Sequence, residues 1–197
     1  MAATRTRKGE ESRSRLLHAA TTEFARLGYH ATKVSDIVAA AGLSQAAFYL
    51  YFTSKEAVFT ELIAEFRGRL QVLADAGKLA THLSPESVPD QVRANVLALL
   101  QLLMADATLT RIALFLAPDG ESIRDGIAAL IMANLQANQA AGIIRPDLDV
   151  AVGADAMVGL LERLLRRWLK TGEGAPESLA SAAADVIMYG ILNREVL

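Results

Sequence analysis

Residues 32–56 read TKVSDIVAAAGLSQAAFYLYFTSKE, and this stretch decides how the N-terminal part of the chain folds. Apolar residues recur at helical spacing from Val34 to Ala41 and predict a short helix with one buried face. Gly42 is expected to end that helix, and Ser44 is a good N-cap for a second helix from Gln45 to Tyr51. Two short helices joined by a glycine turn are the pattern of a helix-turn-helix.

The rest of the chain is also helical in pattern. Of its 197 residues, 52% are hydrophobic and only 6% are aromatic, a composition typical of helical proteins. Because the chain has no cysteine, disulfides, zinc fingers and a cysteine nucleophile are excluded. The spacing of apolar residues, caps, glycines and prolines predicts about nine helices, near residues 10–27, 34–41, 45–51, 55–76, 90–105, 107–116, 119–141, 149–170 and 177–192.

Charge is distributed unevenly along the sequence. Residues 1–56 contain eight Lys or Arg and five Asp or Glu, whereas residues 57–197 contain twelve and seventeen. A basic head on an acidic body favours an anionic partner at the head. The longest uncharged stretch, residues 126–144, contains four amide side chains, so we interpret it as a buried helix and not a membrane span. The N-terminus has no apolar signal-peptide core, and a cytoplasmic protein is expected.

The residues from Arg15 to Glu56 resemble the DNA-binding domain of the tetracycline-repressor-type (TetR) transcriptional regulators. The most specific part of the match is FYLYFTSKE, residues 48–56. Beyond it, the chain matches that family only in helix number, helix length and the loop from Ile144 to Asp149. The resemblance implies an all-α protein with an N-terminal helix-turn-helix DNA-binding domain and a C-terminal helical bundle. We place the first over residues 1–56, a linking fourth helix over 55–76, and an effector-binding and dimerisation domain over 77–197.

The resemblance also assigns DNA contacts to individual positions. Thr32 is expected to cap the second helix and to reach a phosphate with its hydroxyl, and Lys33 to add a backbone contact. Ser44 begins the recognition helix, whose free N–H groups attract a phosphate. Gln45 is the best candidate for reading a base, because its amide can pair bidentately with adenine. Lys55 is expected to clamp a phosphate.

The remaining positions of the recognition helix are small or amphipathic. Ala46 and Ala47 let the helix sit deep in the groove against a thymine methyl, and Tyr49 and Tyr51 can donate their hydroxyls to phosphates. The family often has Gly where Ala46 stands and His where Leu50 stands. Leu50 therefore removes a polar contact, and we expect it to pack on thymine methyl groups instead. Phe48 and Phe52 are expected in the core.

The body of a TetR-type regulator usually holds a small-molecule pocket. Polar or soft side chains on otherwise apolar helix faces are the candidates for lining it. The apolar character of these faces favours a hydrophobic effector. The candidates are Met104, Arg111, Phe115, Met132, Asn134, Asn138, Met157, Trp168 and Tyr189.

The last two helices are expected to pair two copies of the chain. One recognition helix makes too few contacts for specificity, so helix-turn-helix proteins usually bind palindromic sites as dimers. Gly153 and Gly159 permit close helix approach, and the apolar stripes are wider than one core needs. The stripes comprise Val150, Ala154, Met157, Val158, Leu161, Leu164, Leu165, Trp168 and Leu169, followed by Ala180, Ala183, Ala184, Ile187, Tyr189, Ile191 and Leu192.

These patterns predict a dimeric repressor that a small hydrophobic effector releases from a palindromic operator. The alternatives are a DNA-binding regulator without an effector, an activator, and an interaction module whose head no longer binds DNA. A helical enzyme is disfavoured because the sequence offers no nucleophile–base pair, no paired carboxylates on an apolar face and no phosphate-binding glycine loop. Its three histidines are scattered without metal-ligand spacing, so no metal or cofactor is expected.

Overall fold

The computed structural model describes residues 2–76, 87–117 and 120–189. Within these ranges the chain forms nine α-helices and no strand, which confirms the all-α prediction. A π-helical turn, Ile112–Leu116, continues the sixth helix. The helices are α1 (Ala2–Leu27), α2 (Val34–Ala41), α3 (Gln45–Tyr49), α4 (Lys55–Ala76), α5 (Val88–Ala105), α6 (Ala107–Arg111), α7 (Gly120–Ala140), α8 (Val150–Thr171) and α9 (Pro176–Tyr189).

Several helix ends differ from the sequence prediction. Helix α1 begins at Ala2, about two turns earlier than expected, and α3 ends at Tyr49 instead of Tyr51. Pro89, which we expected in a connection, lies in the first turn of α5, where its missing N–H costs no hydrogen bond. Asp119, where the seventh helix was predicted to begin, and the predicted dimer residues Ile191 and Leu192 lie outside the described residues.

The chain packs into two compact units. The first comprises residues 1–68 and 108–120, so the segment from Thr108 to Gly120 packs with the helix-turn-helix although we expected it in the C-terminal domain. Phe24, Tyr29 and Phe59 form its aromatic centre, with Tyr29 and Phe59 rings 4.5 Å apart. The fully buried side chains around them include Leu16, Ile37, Phe48, Val58 and Ile112.

The second unit comprises residues 69–107 and 121–197, and its core lies between α5, α8 and α9. The N-terminal half of α5 is tied to α9 by an ion pair between Arg93 and Asp185 at 3.0 Å. The carboxylate of Asp149 accepts hydrogen bonds from the N–H groups of Ala151 and Val152, so this residue is the N-cap of α8. The buried core residues are Val96, Leu100, Leu161, Ala180, Ala183 and Ala184.

The helices of the described residues differ in length and hydropathy. None of them is by itself long and apolar enough to span a bilayer. Among the described helices, only α5 and the segment Ala107–Leu116 together reach the length and hydropathy of a membrane span. The chain is bent by 95° at their junction.

Candidate nucleic-acid interface

Helix α3 is short, and one side chain anchors it. The hydroxyl of Ser44 accepts a hydrogen bond from the N–H of Ala47 at 3.1 Å, so the predicted N-cap is confirmed. Phe48 is fully buried and packs 5.8 Å from Phe52, ring centre to ring centre, as the sequence predicted for both. The anchor turns the opposite face of the helix to solvent. That face carries Gln45, Ala46, Tyr49 and Leu50, of which Tyr49 is 58% exposed and Leu50 79%.

The turn between α2 and α3 depends on Gly42. Its φ is +61°, in the left-handed region, and a Cβ at this position would lie 3.0 Å from the guanidinium of Arg15. That guanidinium donates to the carbonyl of Ala41, at the C-terminal end of α2. Leu43 continues the turn, with its N–H bonded to the carbonyl of Val38 at 2.9 Å. Arg15 therefore seals the end of α2, a role that sequence reasoning missed because its partner lies 26 residues away.

Thr32 does not cap α2, which corrects the sequence prediction. The N-cap is Lys33, and the carboxylate of Asp36 accepts the backbone N–H of Lys33 at 2.8 Å. Thr32 is 1% exposed, and its hydroxyl lies 2.8 Å from the carbonyl of Gly28 and 3.2 Å from that of Glu23. The hydroxyl is therefore turned into the protein and away from any phosphate.

Lys55 is also used differently from the prediction. Its ammonium donates to three backbone carbonyls, those of Tyr29 at 3.0 Å, His30 at 3.1 Å and Thr32 at 2.8 Å. It also lies 5.0 Å from the ring centre of Tyr29, a cation–π distance. An ammonium has three N–H donors, so all of them are engaged within the protein. In this geometry Lys55 fastens the connection that leads into α2 and offers no free donor to a phosphate.

The start of α4 lies directly beside this connection. The hydroxyl of Ser54 accepts the N–H of Ala57 at 3.3 Å, as expected for the N-cap of α4. Hydrogen bonds from its own backbone N–H and from the Ser54 hydroxyl hold the pKa of the exposed Glu56 carboxyl below its ordinary value. The first turn of α4 therefore carries an ionised carboxylate at neutral pH, which the helix dipole favours.

The two tyrosines of the motif lie in different surroundings. Tyr49 is exposed on the outer face of α3. Tyr51 is half-buried, and its hydroxyl lies 3.7 Å from where a Cβ on Gly9 of α1 would stand. Arg13, one turn further along α1, forms an ion pair with Glu61 and lies 5.3 Å from the ring centre of Phe52. Arg13 therefore joins α1 to α4.

The candidate effector residues are divided between the two units. Arg111 is exposed and donates to the carbonyl of Ala25 near the end of α1 at 3.1 Å, and Phe115 lies half-buried in the π-helical turn. Both belong to the first unit, whereas the sequence prediction placed them in a C-terminal effector domain. The other seven lie in the second unit: Met104, Met132, Asn134, Asn138, Met157, Trp168 and Tyr189.

Their surroundings within the second unit vary. Met104 packs against the core of α5, α8 and α9. Asn138 is buried, and Asn134, one turn earlier on α7, is half-buried with its Oδ1 oxygen enclosed. Met132, Met157, Trp168 and Tyr189 are all half-buried. Although α7 is rich in apolar residues, Ile123 is the one hydrophobic side chain that it buries fully within the described chain.

Six residues of the predicted dimer stripes are buried inside one chain. The buried core takes Ala154, Leu161 and Leu165 from α8 together with Ala180, Ala183 and Ala184 from α9. A Cβ on Gly153 would lie 3.3 Å from the side chain of Leu135 and 3.6 Å from that of Leu148 in the same chain, whereas nothing lies within 4 Å of a Cβ on Gly159. The apolar residues of the two helices that are exposed are Ala151, Val152, Ala156, Gly159, Ala182 and Val186.

Comparisons with known proteins agree with this arrangement. The family model of the bacterial regulatory proteins of the tetR family matches residues 16–62. The chain is 41% identical over 185 residues to YdgC of Bacillus subtilis, described as an uncharacterised HTH-type transcriptional regulator, and the match covers 94% of this chain and 95% of YdgC.

Solved structures of similar fold cover nearly the whole chain. PfmR from Thermus thermophilus, a TetR family transcriptional regulator, is 27% identical with a TM-score of 0.69, covering 90% of this chain and 99% of PfmR. FadR from Bacillus subtilis, solved in complex with stearoyl-CoA, is 20% identical with a TM-score of 0.70, covering 91% and 99%.

Proposed function

Because the chain belongs to the tetR family of bacterial regulatory proteins, we propose that it is a dimeric repressor that a hydrophobic effector releases from a palindromic operator. Membership makes it a DNA-binding transcriptional regulator and not an enzyme. The observation that carries the proposal is the construction of α3. One buried residue, Phe48, holds the helix, and its whole opposite face is exposed beside a capped N-terminus.

The size of α3 suits a DNA groove. Five helical residues extend about 8 Å, which fits within a major groove about 12 Å wide. Gln45 stands at the N-terminal end, where recognition helices contact base edges. The backbone N–H groups at the starts of α2 and α3 supply contacts to phosphates on either side. Lys55 and Thr32 act behind this surface, by holding the connection that positions α2.

Two copies of the chain are needed for a palindromic site. We assign the pairing surface to the outer faces of α8 and α9. On α8, Val152, Ala156 and Gly159 are spaced three or four residues apart, so they share one face, and Ala182 and Val186 do the same on α9. Small residues on these faces allow two helix pairs to approach closely.

The DNA-binding step can be tested on the full-length chain with DNA from upstream of its own gene. We expect a dimer that binds specifically, with affinity falling steeply as salt increases. Gln45→Ala should lose about 1–3 kcal/mol of discrimination at one base pair of each half-site, because a bidentate base contact is removed. Gln136→Ala, which removes an exposed glutamine from α7, is the matched control and should bind as wild type does. Binding that is indifferent to sequence in both wild type and Gln45→Ala would refute the regulator proposal.

The effector is proposed to bind in the second unit. Support comes from α7, whose apolar side chains are mostly left half-exposed and so are available to a hydrophobic ligand. Stearoyl-CoA, the ligand bound in the solved FadR structure, is a suitable first probe, with stearate and coenzyme A tested separately.

We expect stearoyl-CoA to release the operator complex and coenzyme A alone to leave it intact, because the apolar chain supplies the binding energy. Met132→Trp should raise the concentration of stearoyl-CoA needed for release by about tenfold or more by filling space beside α7, whereas Gln136→Ala should not. If neither stearoyl-CoA nor stearate changes DNA binding, a regulator without an effector of this class is favoured. A ligand that tightens DNA binding would point to a different mode of regulation.

A further inference from the structure

The two helices of the helix-turn-helix, α2 and α3, carry no positively charged side chain. Residues 34–54, which include all of α2 and α3, contain no lysine and no arginine. In the major groove, guanine is most often read by Arg or Lys through its O6 and N7 atoms. This stretch also contains a single amide side chain, that of Gln45, and a Gln amide is matched to the N6 and N7 atoms of adenine.

The same surface is unusually apolar. Leu50 is 79% exposed, more than any other large hydrophobic residue of the described chain. Ala46 lies one turn before it on the same face and is also exposed, so the two form an apolar stripe along α3. Gln45 and Tyr49, likewise one turn apart, form a second stripe beside the first.

Only one base offers an apolar group to such a stripe. The C5 methyl of thymine projects into the major groove, whereas the edges of guanine, cytosine and adenine present hydrogen-bonding atoms there. Leu50 lies at the C-cap of α3, at the opposite end from Gln45. Because the whole helix is shorter than the groove is wide, both ends can contact bases of one half-site.

We infer that the operator half-site presents A·T pairs to α3, and that Leu50 is a specificity-determining residue that reads a thymine methyl group. Gln45 pairs with an adenine of the same half-site. This inference rests on the proposed function, because it concerns the sequence that the recognition helix reads. It extends the expected contact of Leu50 with thymine methyl groups to the composition of the whole half-site, on the evidence of the exposed Leu50 side chain and the missing positive charge.

The test begins with a pool of duplexes of random sequence, from which the full-length wild-type protein selects its site. Each thymine of the selected half-site is then replaced singly by deoxyuridine, which removes only the methyl group. We expect the wild type to lose about fourfold in affinity at one or two positions, the effect of one buried methyl group. Leu50→Ala should bind the thymine duplex more weakly and should lose less than about twofold on the same replacement.

Two further variants make the result specific. Leu50→Ile keeps an apolar side chain of the same size and should retain the sensitivity to the methyl group. Val72→Ala shortens an apolar residue of α4 that is 71% exposed and lies outside the helix-turn-helix, and this variant should behave as wild type.

The failure of this inference differs from the failure of the proposed function. A selected half-site of G·C pairs, or equal losses on uracil replacement in wild type and Leu50→Ala, overturns the thymine contact while sequence-specific binding remains. If the protein enriches no sequence from the pool, the regulator proposal fails and the inference fails with it.

Discussion

Replacing Lys55 with methionine is expected to lower the free energy of opening α2 by about 2 kcal/mol without changing how DNA binding responds to salt. The variant removes three hydrogen bonds from an ammonium to the carbonyls of Tyr29, His30 and Thr32 and keeps an apolar stem of similar length. Each hydrogen bond from a charged donor contributes more than a neutral one. Because Lys55 is partly exposed, water can replace some of these bonds, so the expected loss in the free energy of opening is well below the sum of the three.

The measurement is amide hydrogen exchange of α2 in the full-length chain, which should become about thirtyfold faster in Lys55→Met. DNA affinity should fall, while the slope of log affinity against log salt stays at its wild-type value. The control is Lys33→Met, which removes an exposed lysine at the N-cap of α2 and should leave exchange nearly unchanged.

A direct phosphate contact by Lys55 predicts the reverse pattern. The salt slope would then decrease by about one in Lys55→Met, and amide exchange in α2 would stay as in wild type. Such a result would mean that Lys55 contacts a phosphate in the DNA complex, as the motif suggests. Its contacts with the three carbonyls would then exist only in the protein without DNA.

Gly159→Glu is expected to turn the dimer into a folded monomer and to reduce operator affinity by about a hundredfold or more. Gly159 is exposed on the outer face of α8, and nothing lies within 4 Å of a Cβ there. Glutamate favours a helix over glycine by about 0.5–1 kcal/mol, and the new carboxylate can pair with Arg163 one turn later. The single chain should therefore remain folded. In the proposed interface the same carboxylate would lose its contact with water, and this desolvation would cost several kcal/mol even with Arg163 beside it.

Sedimentation gives the oligomeric state, and titration with the selected duplex gives the affinity. The matched control is Gly126→Glu, since Gly126 is also an exposed helical glycine with open space around it but lies on α7. It should stay dimeric and bind DNA as wild type does. A Gly159→Glu protein that remains a dimer would place the pairing surface elsewhere.

Local sequence predicted the helix-turn-helix well because local interactions build it. The turn at Gly42 needs a left-handed φ, the cap at Ser44 bonds to an N–H three residues later, and Phe48 follows from helical spacing. The N-cap at Asp149 is local in the same sense, because its carboxylate bonds to N–H groups two and three residues later. Each of these features involves residues within one or two turns of one another, so the sequence pattern contains the relevant distances.

The sequence could not assign side chains whose partners are distant along the chain. Lys55 bonds to carbonyls 23 to 26 residues earlier, Arg15 to a carbonyl 26 residues later, and Arg111 to one 86 residues earlier. The prediction that Thr32 caps α2 failed for a related reason. Threonine beside a helix start is a common cap, but here its hydroxyl faces inward to the end of α1.

By itself, the sequence determined the all-α fold, the family, and the residues that form the outer face of α3, because helical periodicity, caps and the FYLYFTSKE motif are local properties. Tertiary structure alone decided which charged and hydroxyl groups of the motif form hydrogen bonds within the protein. It also decided which residues of α8 and α9 remain outside the core. The physical reason is that a hydrogen-bond partner or a buried face exists only once distant helices have packed together, and residue spacing does not record which helix packs against which.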